Sequence, residues 1–365
     1  MTESLKVSEK VTAVSEYPDP ALVNAATSPT IQRDRPALLL VNLGTPEAPT
    51  PPAIRTFLRE FLSDRRVIEM NPIAWKLVLE CFILPFRPRA ICEQYERIWT
   101  PEGSPLAHGT YMQGRKLQKL LGADVEVRIA MRYGQPSIES VLSDLYEAGH
   151  RRVLVLPAYP QYTASTVGSI YDEVARWTLT HRDQMEIRTI RSFEECSTYI
   201  EALAAPIEEH WRRNGRPDFE AGERLITSYH SIPMAMHEAG DPYKEECERT
   251  SALLAARLNI PSGGLIVTYQ SVFGRAEWIG PATIDTVEEL GKMGTTRVDV
   301  ICPGFMADCL ETLEEIDELN RETFTEAGGG DFHYIKWAND SVGCVNSLAH
   351  QARIHLSGWV DLGQE

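Results

Sequence analysis

Eight short apolar runs, each leading into a helix-like stretch, constrain this chain more than any other feature. They are PALLLVNLG (36–44), VEVRIAMRY (125–133), RRVLVLPAY (151–159), MEIRTIRS (185–192), RLITSYH (224–230), GLIVTYQS (264–271), TRVDVICPG (296–304) and HYIKWAN (333–339). Most are near-continuous in Val, Ile and Leu, the pattern of strands buried on both faces. Helical patterns follow at 51–64, 88–121, 137–148, 166–180, 197–213, 242–258, 282–292, 308–325 and 341–357. Such alternation predicts right-handed βαβ units and parallel sheets. Four strands in each half predict an α/β fold of two similar doubly wound domains, split near the loop NGRPDFEAG (214–222).

At 365 residues the chain is long enough for two domains and a large core. The expected borders are a mobile tail (1–35), an N-terminal domain (36–205), a C-terminal domain (206–340) and a last helix with its tail (341–365). The tail lacks the apolar stretch of a secretory leader. A net charge of -16 argues against nucleic acid as a partner. The seven cysteines are scattered without a CxxC, which reads as reduced thiols rather than a disulfide framework or a paired-cysteine metal site. The longest greasy segment, IAWKLVLECFILPF (73–86), is interrupted by Lys76 and Glu80 and is too short to span a bilayer. It reads either as a buried amphipathic helix or as a lip touching a membrane or an apolar ligand.

In open parallel sheets, ligands bind beyond the carboxyl ends of the strands. The segments found there include NLGTPEAP (42–49), RYGQP (132–136), YPQYTASTVGS (159–169), HSIPMAMHEAGDPY (230–243), QSVFGRAEWIGP (270–281) and PGFMADCLETLEEI (303–316). No GxGxxG follows the first strand, so a dinucleotide site is poorly supported. On α-helical spacing, Glu311, Glu315, Glu318 and Glu322 form one stripe. It reads as a solvated face, or as a carboxylate row leading protons or a divalent cation to a cavity. His230 is either a hydrogen-bonded structural histidine or, with Glu311 across a cleft, half of a proton-exchanging pair.

Together, NLGTPEAP, EGSPL (102–106), MRYGQP, YPQYTASTVGSIYDE, SYHSIP with GDPY, TYQSVFGRAEWIGP and PGFMADCLETLEEI resemble the ferrochelatase family, in the family's order, over roughly 36–358. The resemblance implies two Rossmann-like domains with a porphyrin cleft between them, and insertion of ferrous iron into protoporphyrin IX to give protoheme. It places the family histidine on His230 and the family glutamate on Glu311, as catalytic and metal-holding residues. Arg132, Tyr133, Tyr162, Ser165 and Trp278 fall on cleft-lining positions. Arg132 is expected to steer propionates, and Tyr133 and Trp278 to pack on the ring. Residues 70–87 match the family's apolar lip, which allows peripheral contact of a cytoplasmic enzyme with the inner membrane. Iron is then a substrate, and no permanent cofactor is implied. Two departures stand out. Cys309 occupies a position where some members carry histidine. Ala164 and the lone C-terminal Cys344 stand where some relatives bind a [2Fe–2S] cluster, so no cluster is expected, and the missing dimerisation extension points to a monomer. Rival readings are a chelatase for cobalt or a less oxidised macrocycle, one for coproporphyrin, and a non-catalytic porphyrin carrier.

Overall fold

In the computed structural model, the described residues are 35–274 and 276–362, so the expected tail (1–34 of it) and the last three residues lie outside them. The strands are β1 (Ala37–Gly44), β2 (Glu126–Tyr133), β3 (Arg152–Pro157), β4 (Glu186–Thr189), β5 (Arg224–His230), β6 (Leu265–Gln270), β7 (Arg297–Ile301) and β8 (Asp331–Tyr334). All pair in parallel, in two sheets of identical order, β2-β1-β3-β4 and β6-β5-β7-β8. In each sheet the chain starts on an inner strand, steps to one side and then crosses to the other. The order therefore reverses between β1 and β3, and between β5 and β7. Crevices at such reversals are where ligands bind in this class of sheet.

β1 shows why these runs become strands. Leu38 and Leu40 enter one apolar cluster, while Ala37, Leu39 and Val41 enter another on the opposite face. Period-two alternation thus buries both faces at once. Gly44 ends the strand at φ 102°, where an added Cβ would sit 1.7 Å from the Tyr133 carbonyl oxygen. Only glycine allows that exit.

The helices are α1 (Pro51–Leu62), α2 (Pro72–Val78), α3 (Arg87–Ala90), α4 (Cys92–Ile98), α5 (Pro105–Leu121), α6 (Ile138–Glu147), α7 (Ser169–Leu179), α8 (Ser197–Asn214), α9 (Met234–Glu238), α10 (Tyr243–Arg257), α11 (Thr283–Lys292), α12 (Arg321–Glu326) and α13 (Val342–Leu356). The helical span expected over 88–121 is broken into three, with Gly103 at φ 103° and Pro105 starting α5. The border expected at 205–206 falls inside α8, which runs on to the loop at 214–222. α13 returns to pack on α5 and α8. The halves are tied by Gln113, whose amide donates to the carbonyls of Met306 (2.5 Å) and Asn339 (2.9 Å).

Candidate active site

β5 and β7 flank the reversal of the C-terminal sheet, and the predicted histidine and glutamate follow from them. His230 is the last residue of β5, paired in register with Gln270 at the end of β6. Its Nδ1 lies 2.6 Å from the Ser231 carbonyl oxygen. A carbonyl can only accept, so Nδ1 carries a proton and Nε2 is the nitrogen left to exchange a proton or meet a metal. The imidazole is half-buried.

Residues Glu311–Asn320 form a π-helix rather than the α-helix expected there. Its i→i+5 bonding makes a turn wider than the 3.6 residues of an α-helix. Glu311 and Glu315 stay together near His230, but the single acidic stripe does not form. Glu314 and Glu318 turn instead to Arg97 of α4, at 3.1 and 3.8 Å, and Gln94 also donates to Glu314. The Gln270 amide donates to the Glu311 carbonyl at 2.6 Å. Ser271 adopts φ 63°, a left-handed conformation uncommon outside glycine. That conformation brings both its N–H (2.6 Å) and its hydroxyl (2.5 Å) onto the Glu315 carboxylate. Burial pushes the Glu315 carboxyl above the ordinary range and the Glu311 charge adds to the rise, while the Ser271 bonds and His230 oppose it.

His230, Gln270, Glu311 and Glu315 therefore share one wall, built wholly by the C-terminal domain. β5 and β7 are neighbours, so the segments carrying His230 and Glu311 leave the same sheet side by side. The opposing groups come from the N-terminal domain. Burial, then the Glu311 charge, raises the Tyr95 phenol. Tyr159 is also raised by burial, and it feels Arg132 on one side and Glu311 and Cys309 on the other. The Tyr159 hydroxyl is buried and has no hydrogen-bond partner among the described residues. Cys309 is buried beside Glu311, and both effects hold its thiol protonated.

The other predicted residues divide. Arg132 is anchored through two of its three guanidinium nitrogens. It donates to Asp64 and Ser169, each at 2.5 Å, and lies 3.1 Å from Glu173. Tyr133 is fully buried, with its hydroxyl donating to Asp64 at 2.9 Å. Both bond Asp64. Tyr162 and Ser165 lie on the seam between domains. The Tyr162 N–H bonds Glu246 at 2.7 Å, and Arg191 covers its ring at 4.4 Å. Ser165 follows Thr163, whose hydroxyl reaches Asp241 at 2.9 Å. Trp278 stacks obliquely on Phe273 at 4.7 Å, and its indole N–H donates to the Phe273 carbonyl.

That pair and the lip form two jaws. Asn71 caps α2, accepting from the Ile73 and Ala74 N–H groups. The inner face buries Leu79 and Leu84, while Ile73, Leu77, Phe82 and Phe86 are 63–77% exposed. Of the two readings, the geometry is that of an exposed lip. Phe273, 49% exposed, meets it through Arg87, whose guanidinium lies 5.6 Å above the ring. Sequence reading missed Arg87, Tyr95 and Tyr159. The only signal for Arg87 was the basic RPR closing the lip. A recess of about 940 Å³ opens beside Arg132, lined by Arg59, Glu60, Arg66, Asp172 and Arg176 among others, but it includes none of His230, Glu311 or Glu315.

The family model described as Ferrochelatase matches residues 35–356. The chain belongs to the ferrochelatase family. Its activity class is insertion of a metal ion into a tetrapyrrole. The fold is shared with SirB from Bacillus subtilis with Fe3+, at TM-score 0.55 and 13% identity, covering 88% of this chain and 96% of that one. It is shared too with the sirohydrochlorin chelatase SirB from Bacillus subtilis subspecies spizizenii in complex with cobalt, at TM-score 0.50 and 13% identity, covering 88% and 94%. In this family member no described helix is long and apolar enough to cross a membrane.

Proposed function

We propose that this chain inserts Fe2+ into protoporphyrin IX, giving protoheme and two protons. Iron is the substrate, stays ferrous and needs no redox partner. The observation that carries the reading is the free Nε2 of His230 beside Glu311 and the raised carboxyl of Glu315, at a sheet reversal beneath two apolar jaws. A planar porphyrin directs two N–H protons into the hole that the metal must enter. Bending the ring turns nitrogen lone pairs outward, and contacts between the large apolar ring and the jaws offset that cost. His230 Nε2 accepts one pyrrole proton, and the Glu311–Glu315 pair takes the second and passes it outward. Arg87, without a carboxylate partner among the described residues, takes the propionate-binding role first expected of Arg132. The lip supports an apolar ring edge and peripheral contact with a membrane surface.

The test is an anaerobic insertion panel crossing Fe2+, Co2+ and Zn2+ with protoporphyrin IX, coproporphyrin and sirohydrochlorin. The reading expects the highest kcat/KM for Fe2+ with protoporphyrin IX. A preference for sirohydrochlorin or coproporphyrin would reassign the substrate, and tight porphyrin binding without insertion would make the chain a carrier.

A further inference from the structure

The C-terminal domain holds a second convergence of ligating groups, away from the His230 wall. His210 on α8, Asp299 on β7 and His333 on β8 each offer one ligand atom, and these lie within 4.8 Å of one another. His210 Nε2 is 3.7 Å, and His333 Nδ1 3.1 Å, from the same oxygen, Asp299 Oδ1. Asp299 pairs in register with Leu225, five residues before His230 on β5. At about 3.3 Å per residue the two sites are separated by roughly 16 Å along the sheet.

We propose that His210, Asp299 and His333 form a second divalent transition-metal site. The carboxylate is locked before any ion arrives. Its Oδ2 accepts from the Trp211 indole at 2.7 Å and from Arg297 at 2.9 Å, while Arg297 also bonds Oδ1. Arg297 is itself fixed on the Asn214 and Gly215 carbonyls at the end of α8. Partners of this kind orient a ligating carboxylate. The orphan in the group is His210 Nε2, which is buried and has no hydrogen-bond partner among the described residues. Asn214 Nδ2, the neighbour of Nδ1 at 3.2 Å, is a donor, so ligation through Nε2 requires the Asn214 amide to turn its oxygen toward a protonated Nδ1.

The chemistry selects the ion. Arg297 cancels the charge of Asp299, so little attraction remains for Mg2+ or Ca2+, which need several oxygens. Two imidazoles and one carboxylate suit borderline cations such as Zn2+, Co2+ and Fe2+. His210 and His333 keep 19% and 31% of their side chains exposed, which leaves a coordination position open to solvent and the ion exchangeable.

Equilibrium dialysis of the full chain against Zn2+ tests this, with wild type beside His210→Gln/His333→Gln. The double variant should bind one Zn2+ fewer, or bind it at least about 100-fold more weakly, with ferrous insertion within twofold of wild type. Equal stoichiometry and affinity in the two proteins would overturn the proposal. Should the variant melt early, zinc-edge anomalous scattering from wild-type crystals soaked in Zn2+ decides. A peak among the three side chains supports the site, and peaks only near His230 and Glu311 or at crystal contacts contradict it.

Discussion

At the residue scale, roles separate by which polar end is free. His230 has one ring nitrogen tied to Ser231 and the other available, whereas Arg132 is held through Nε and Nη2 by Asp64, Ser169 and Glu173. Arg132→Ala should therefore act on folding. Removing one partner from a buried pair strands the Asp64 charge and should lower unfolding stability by about 3–5 kcal/mol, read by denaturant titration. Arg87→Ala should leave stability unchanged and raise the KM for porphyrin about 10- to 100-fold, the worth of a charge-assisted hydrogen bond. If the two variants exchanged phenotypes, the propionate assignment would be wrong. Glu315 gives a pH test. Its carboxyl is raised in the fold, so the ionised form costs stability. The contribution of the protonated form is fully present below the ordinary carboxylate range and is lost as pH rises through the raised value. Glu315→Gln should melt higher than wild type at pH 7.5, with the gap closing toward about pH 4. A gap constant across pH would point to packing instead.

At the element scale, the eight strands and most helices were legible because burial on two faces leaves continuous apolar runs, as β1 shows. The π-helix at Glu311–Asn320 was not. An apolar pattern reports which residues face the core, not whether the backbone closes i→i+4 or i→i+5, so the stripe drawn to Glu318 and Glu322 failed. α9 was hidden in a proline-rich exit, and the pairing of Arg132 with Asp64 joins residues 68 apart in sequence, with no local trace. The lip was legible in place but ambiguous in exposure. Replacing Ile73, Leu77, Phe82 and Phe86 by Gln removes side chains that pack little on the protein. The melting temperature should hold, while cosedimentation with anionic vesicles and porphyrin affinity both fall. A collapse in stability with vesicle binding intact would mean that the lip is core.

At the scale of the whole molecule, two sheets of one topology offer two reversals, and the C-terminal one carries His230, Glu311 and Glu315. The N-terminal domain supplies the opposing tyrosines, the lip and Arg87. The proposed function puts proton transfer on one domain and much of the ring binding on the other. Damage to the acid–base wall should then leave porphyrin binding nearly intact. The most direct measurement is anaerobic ferrous insertion, with porphyrin affinity by fluorescence quenching, in wild type, His230→Ala and Glu311→Gln. The expected result is a kcat lowered about 10²- to 10⁴-fold by His230→Ala, and clearly lowered by Glu311→Gln, with porphyrin Kd within a few fold of wild type. Near-normal turnover in His230→Ala, or losses of affinity that match the losses of rate, would contradict it.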